Sequence, residues 1–72
     1  MSHLIAFRSR SEAMRLSRAL TARRIINTVI NTPRSLGVSC GLSVVFSSNS
    51  LEVVRNVVTE LNLRTSQGIF QK

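Results

Sequence analysis

The sequence has few residues of the types that form disulfides, bind metals or stack on nucleic-acid bases. Its 72 residues include one cysteine, one histidine and three phenylalanines, with no tyrosine or tryptophan. One cysteine cannot form an internal disulfide, and His3 alone provides no ligand cluster for a metal. We therefore expect a reducing compartment, the cytoplasm, and a chain that uses neither a metal nor another cofactor.

Long apolar segments are also missing. No apolar run approaches the roughly 18 residues that span a bilayer, and the opening MSHLIAF lacks a basic region followed by a long apolar one. We predict a soluble protein with one domain over residues 1–72. Because a chain of this length buries only about 60% of its unfolded surface, a homodimer would add useful contacts.

Acidic residues are scarce, at three against ten basic ones, and the net charge is +7. The basic excess belongs to residues 1–34, where a single acid, Glu12, accompanies seven arginines: Arg8, Arg10, Arg15, Arg18, Arg23, Arg24 and Arg34. Such a bias attracts nucleic acid, anionic substrates or an acidic protein partner, and it also suits a merely solvated surface.

Hydrophobic periodicity predicts the element order βαββαβ. Strands are expected at residues 3–7, 26–30, 42–46 and 64–70, with Gly68 marking a bulge or a close backbone approach. Ser9 and Glu12 have the spacing of a capping box at the start of the first helix, and Asn49 is expected to cap the second, three residues before Glu52. Apolar stripes then mark the helices: Ala13, Leu16, Ala19 and Leu20 in the first, and Leu51, Val54, Val57, Val58 and Leu61 in the second.

Two consecutive βαβ halves indicate a ferredoxin-like α+β sandwich, with two helices on one face of a four-stranded antiparallel sheet. In this fold the loop of residues 31–41 reaches the sheet edge where Arg8, Ser9 and Arg10 lie. Cys40 would then face a positive environment, to which Arg34 of the same loop could add. Guanidinium groups and a helix N-terminus lower the pKa of a thiol, which predicts a nucleophilic or carrier cysteine.

A structural interpretation of the same loop stays open. Lone cysteines are commonly buried as small hydrophobic residues, and Cys40 lies next to the apolar segment LSVVF. Pro33, Gly37 and Gly41 would then only shape the loop.

The segment PRSLGVSCGLSV, preceded by LIAF and a helix, resembles the DUF3343 family of selenium/sulfur carrier-like proteins. The most specific match is a Pro-Arg pair followed by Ser-Cys-Gly: Pro33, Arg34, Ser39, Cys40 and Gly41. Gly37 stands where the family pattern leads us to expect serine. The resemblance implies a compact domain whose cysteine carries persulfide or selenium.

The mechanism that follows from this resemblance assigns the Cys40 thiolate as the acceptor of sulfur or selenium from a donor protein, for delivery to an acceptor protein. Arg34 would stabilise the anion, while the Ser39 hydroxyl and the Gly41 N–H would donate hydrogen bonds to it. Arg8, Ser9, Arg10 and Pro33 would face the anion or the partner.

Two other classes compete with a carrier. A basic module that binds RNA or protein suits the charge, although the shortage of aromatic residues disfavours RNA. A dimeric regulatory module would instead pack Cys40 in its interface. An independent enzyme is the least supported class, because the sequence offers no acid/base dyad, metal site or phosphate-binding glycine loop.

Overall fold

The computed structural model describes residues 2–38 and 41–71, and this part of the chain follows the predicted βαββαβ order. The elements are β1 (Ser2–Phe7), α1 (Arg10–Ala22), β2 (Asn27–Asn31), β3 (Leu42–Ser47), α2 (Leu51–Glu60) and β4 (Ser66–Gln71). Short 3₁₀ turns cover Arg34–Leu36 and Ser48–Ser50. Within the described residues, neither helix has the length and apolar character needed to cross a bilayer.

The four strands form one antiparallel sheet in the order β2-β3-β1-β4. Because β1 and β2 both pair antiparallel with β3, these two strands run parallel to each other on either side of it. Strand β4 pairs antiparallel with the other side of β1. The predicted ferredoxin-like α+β fold is confirmed.

One face of the sheet carries the core. Ile5 and Phe7 of β1 point to this face together with Val44 and Phe46 of β3, as expected from the alternation of side chains along a strand. The helices bury their apolar stripes against it, with these residues at or near zero exposure: Ala13, Leu16, Leu20, Val54 and Val57. Burial thus outweighs the low helix propensity of valine in α2.

Strand β2 begins at Asn27, one residue later than predicted, and the preceding Ile26 is 90% exposed. The Asn27 amide explains the boundary. It donates to the carbonyl of Ser17, to Oγ1 of Thr21 and to the carbonyl of Ile25, at 3.0 to 3.4 Å. These bonds attach the start of β2 to the last turns of α1.

The capping box predicted at the start of α1 is confirmed for the Ser9 side chain but not for the Glu12 side chain. The Ser9 hydroxyl accepts a hydrogen bond from the Glu12 backbone N–H at 3.3 Å, as expected. The Glu12 carboxylate, however, accepts from both the backbone N–H and the hydroxyl of Thr65, each at 2.9 Å. Thr65 Oγ1 in turn accepts from the Ser9 N–H at 3.2 Å. Thr65 therefore stands between the two capping residues and joins α1 to the start of β4.

The predicted capping of α2 by Asn49 is wrong. The helix begins at Leu51, and Ser50 occupies the N-cap position without a side-chain hydrogen bond. Asn49 lies in the preceding 3₁₀ turn, where its own backbone N–H donates to the Ser47 hydroxyl at 3.3 Å. The cap in the sequence SSNS therefore serves the short turn and not the helix.

Strand β4 contains the bulge predicted at Gly68. Ile5 pairs with Ile69, whereas Phe7 pairs with Ser66, so two steps along β1 correspond to three along β4. Gly68 lies between the paired residues with φ of 120°. The bulge brings the beginning of β4, with Arg64 just before it, to the end of β1.

The Glu12 hydrogen bonds predict a pH-dependent stability. The backbone hydrogen bond from Thr65 holds the pKa of Glu12 below its ordinary value. A lowered folded-state pKa gives stability that is present above the unfolded value of about 4.3 and is lost as pH falls through the folded value. Glu12→Gln should therefore cost about 1 kcal/mol near neutral pH, measured by urea unfolding, and the cost should shrink on acidification.

Glu52→Gln is the matched control, because Glu52 also lies in the first turn of its helix and is exposed. The free energy of unfolding of Glu52→Gln should differ little from that of the wild-type chain at neutral pH. This difference should not shrink as the pH falls. Equal costs for the two variants, independent of pH, would contradict the role assigned to the Glu12–Thr65 bonds.

Candidate functional site

The end of β1, the start of α1 and the β2–β3 connection meet at one edge of the sheet. Leu42, the first residue of β3, pairs with Phe7 at the end of β1 and with Asn31 at the end of β2. This juxtaposition is the one that the ferredoxin-like topology predicted. Four arginines line clefts at this edge, and we call them the basic end: Arg8, Arg10, Arg34 and Arg64.

Gly41 is held tightly against the end of β1. A Cβ atom at this position would overlap the carbonyl oxygen of Phe7 and lie 3.3 Å from its carbonyl carbon. The Gly41 carbonyl accepts a hydrogen bond from the Thr32 N–H at 3.0 Å, and the Thr32 hydroxyl lies 2.8 Å from the buried hydroxyl of Ser43. These contacts fix the point at which the loop enters β3, next to Arg8.

Pro33 and Gly37 shape a 3₁₀ turn in the loop. The Leu36 N–H donates to the Pro33 carbonyl at 3.2 Å, and the Gly37 N–H donates to the Arg34 carbonyl at 3.1 Å. Gly37 ends the turn with φ of 68°, a left-handed conformation that glycine adopts without strain. These two residues have the conformational roles that the structural interpretation of the loop expected, and Arg34 is carried outward on the turn as an exposed side chain.

One cleft at the basic end, the Arg34 cleft, has a volume of about 650 Å³ and brings together several residues predicted from the sequence. Its lining consists of Arg8, Arg10, Asn31, Thr32, Arg34 and Gly41. Three of these six residues are exposed arginines and none is acidic. The cleft therefore presents a positive potential to any group that approaches the loop before Gly41.

A second cleft, the Arg64 cleft, has a volume of about 600 Å³ and shares Arg8 with the first. Its lining consists of Arg8, Gly37, Val38, Arg64, Thr65, Ser66 and Gln67. Sequence reasoning missed the contribution of Arg64, although the ferredoxin-like strand order contained the signal. In that order β4 lies antiparallel beside β1, so the beginning of β4 must meet the end of β1.

Two other predicted site residues have local structural contacts. The Ser9 side chain caps α1 and lies 2.9 Å from the Ser11 hydroxyl, while Pro33 begins the 3₁₀ turn and is half-buried. Ser39 and Cys40 lie outside the described residues. Val38 in the Arg64 cleft and Gly41 in the Arg34 cleft are the described residues on either side of them in the sequence.

The basic end has no carboxylate within ion-pair distance among residues 2–38 and 41–71. In that part of the chain the one ion pair joins Arg23 to Glu60, at 3.2 Å, beyond the C-terminal end of α1. Arg23 also donates to the Ala19 carbonyl at 3.1 Å, which satisfies a carbonyl at the helix end. This one ion pair lies at the other end of α1, so it does not neutralise the positive charge of the four arginines at the basic end.

The fold and the clefts define a small ferredoxin-like α+β protein with a cationic site at one edge of its sheet. The chain belongs to the family described as "Putative Se/S carrier protein-like", which matches residues 2–69. The resemblance noted in the sequence is thereby confirmed over nearly the whole chain. Neither a curated protein nor a solved structure matches it.

Proposed function

We propose that this protein carries sulfur or selenium on Cys40. The observation that carries the proposal is the combination of membership in a Se/S carrier-like family with an arginine-lined cleft at Gly41, the residue after Cys40. Arg8, Arg10 and Arg34 supply three guanidinium groups to this cleft. Positive charge near a thiol favours the thiolate, which is the form that reacts.

In the loading step, the Cys40 thiolate attacks the terminal sulfur of a persulfide on a donor protein. A new bond forms between Cys40 Sγ and the transferred sulfur, and the original sulfur–sulfur bond of the donor breaks. The bonding electron pair leaves with the donor as its thiolate, and the transferred sulfur keeps its proton. The exchange is balanced without an external oxidant or a cofactor, and attack by an acceptor thiolate reverses it.

The residues around the thiol would stabilise the charged states of this exchange. Arg34 provides a charge-assisted hydrogen bond to the thiolate or persulfide anion, and the Ser39 hydroxyl and Gly41 N–H donate further hydrogen bonds. Arg8 and Arg10 attract the donor and acceptor proteins through acidic surfaces. The close packing of Gly41 against the Phe7 backbone supports the Gly41 N–H as a donor, because a preorganised donor loses little entropy when the anion forms.

Sulfur loading tests the proposal. After incubation with a cysteine desulfurase and cysteine, the wild-type chain should gain the mass of a sulfur atom at Cys40, located by peptide mass spectrometry. Cys40→Ser should remain folded and gain none. An unloaded wild-type chain, or equal loading of both proteins, would contradict a carrier role for this residue.

The same variant separates the carrier from the structural alternative. If Cys40 is only a packing residue in a core or a dimer interface, Cys40→Ser should lower the unfolding midpoint or the dimer fraction. For a carrier, both quantities should match those of the wild-type chain while loading is lost.

A further inference from the structure

The Arg64 cleft is built where two neighbouring strands end together. Phe7 pairs with Ser66, and one residue further the Arg8 N–H donates to the Thr65 carbonyl at 3.0 Å. The side chains of Arg8 and Arg64 therefore start from adjacent backbone positions, and both line the same cleft. Gly37 and Val38, at the end of the 3₁₀ turn, also line this cleft.

The backbone between the two arginines is already fixed. The N–H and the hydroxyl of Thr65 both donate to Glu12, and the Thr65 hydroxyl oxygen also accepts from the Ser9 N–H. These bonds connect the cleft floor to the first turn of α1. The backbone from which the two exposed arginine side chains extend is therefore preorganised before a ligand binds.

Three side chains of the lining can donate hydrogen bonds to a ligand: those of Arg8, Arg64 and Ser66. The N–H and the hydroxyl of Thr65 both donate to Glu12 and are not among these donors. Arg64 Nε donates to Asn62 Oδ1 at 3.3 Å, which orients the guanidinium and leaves its terminal nitrogens for a ligand. Ser66 Oγ accepts from the Gly68 N–H at 3.3 Å, so its hydroxyl hydrogen can be donated outward. No acidic or aromatic side chain contributes to the lining of this cleft as the structure describes it.

We propose that the Arg64 cleft binds a tetrahedral oxyanion group of the phosphate, sulfate or thiosulfate type. Two guanidinium groups and a hydroxyl match the oxygens of such a group, and arginine forms bidentate hydrogen bonds to them. The volume of about 600 Å³ exceeds that of a free ion and leaves room for the remainder of a small molecule that bears the group. The absence of aromatic residues in the lining offers a nucleic-acid base no stacking partner. This site needs no contribution from Cys40, so it is a function beyond carriage of sulfur or selenium.

The test is an NMR titration of the ¹⁵N-labelled chain with sodium phosphate, sulfate and thiosulfate in turn, against sodium chloride at matched ionic strength. The amide signals of Val38, Thr65 and Ser66 should shift and saturate with at least one oxyanion. Arg64→Gln should weaken the apparent affinity by about tenfold, and Arg64→Lys should recover part of it, because lysine restores the charge without the bidentate geometry.

Arg18→Gln is the matched control, since it removes the same charge from an exposed position on α1 outside the clefts described above. It should change the affinity by less than about twofold. Equal losses in Arg18→Gln and Arg64→Gln, or shifts that never saturate, would overturn the proposal in favour of general charge screening.

Two further ligands identify the source of the oxyanion. If a nucleoside monophosphate binds with at least the affinity of inorganic phosphate, the natural ligand is a molecule that carries the group. If inorganic phosphate binds more tightly, the ligand is the free ion. Both results support the site. An RNA oligonucleotide that shifts these amides at concentrations where neither small ligand does would overturn it. Because Cys40→Ser should bind the oxyanion as the wild-type chain does, failure here is distinct from failure of sulfur loading.

Discussion

Gly41→Ala is expected to destabilise the protein by about 3 kcal/mol. This value is at the upper end of the destabilisation that is typical when an extra methyl or methylene group is inserted into a well-packed site. The new Cβ would overlap the Phe7 carbonyl oxygen, which is a backbone atom at the sheet edge, and the backbone of residue 41 fixes the position of the Cβ. Relief requires the end of β1 or the start of β3 to move, with loss of the bond from the Thr32 N–H to the Gly41 carbonyl. Urea unfolding of the purified variant measures the change.

Gly37→Ala is the matched control for this substitution. Gly37 has no atom within 4 Å of an added Cβ, and its cost comes only from the left-handed conformation, at φ of 68°. That conformation should cost an alanine about 1 kcal/mol. Equal stability of the two variants would contradict the prediction that the close contact between Gly41 and Phe7 excludes a Cβ atom at position 41.

The double variant Arg8→Gln and Arg34→Gln is expected to react about tenfold more slowly at Cys40 with iodoacetamide near pH 7. Both side chains line the Arg34 cleft. In the proposed carrier role they stabilise the Cys40 thiolate, so removing both positive charges should raise the pKa of the thiol. Stopped reactions analysed by intact mass give the rate. Both side chains are exposed, so folding should be retained.

Arg15→Gln with Arg18→Gln removes the same total charge from exposed positions of α1 that line neither cleft. This control should slow the reaction by less than about twofold, because charges that are exposed to solvent and outside the clefts are screened by salt. An equal reduction in both double variants would mean that net charge, and not the cleft, controls the thiol.

The fold was predictable because its main signals are local. The apolar stripe that contains Leu16 and Leu20 predicts helix α1, and the segment rich in β-branched residues predicts strand β3. Both elements pack on the same core. Once the order βαββαβ was known, the topology predicted that Arg8 and the loop containing Arg34 meet at one edge. Both residues do line the same cleft.

The contacts that were missed depend on residues far apart in the sequence. Thr65 completes the cap of α1 from a position 53 residues beyond Glu12, and no local spacing rule reports such a partner. The overlap at Gly41 likewise depends on how closely β1 and β3 approach. The wrong cap at Asn49 has another cause, since SSNS contains several residues able to cap and the sequence does not rank them.

The most direct test of the account is the pH dependence of Cys40 alkylation in the folded protein, compared with the same chain in denaturant. The central claim is that the basic end activates this thiol. It predicts an accessible thiol in the folded protein whose titration midpoint lies below that of the denatured chain, which titrates near the ordinary thiol value of about 8.5. A protected thiol, or the same midpoint in both states, would contradict the claim and return Cys40 to a packing role.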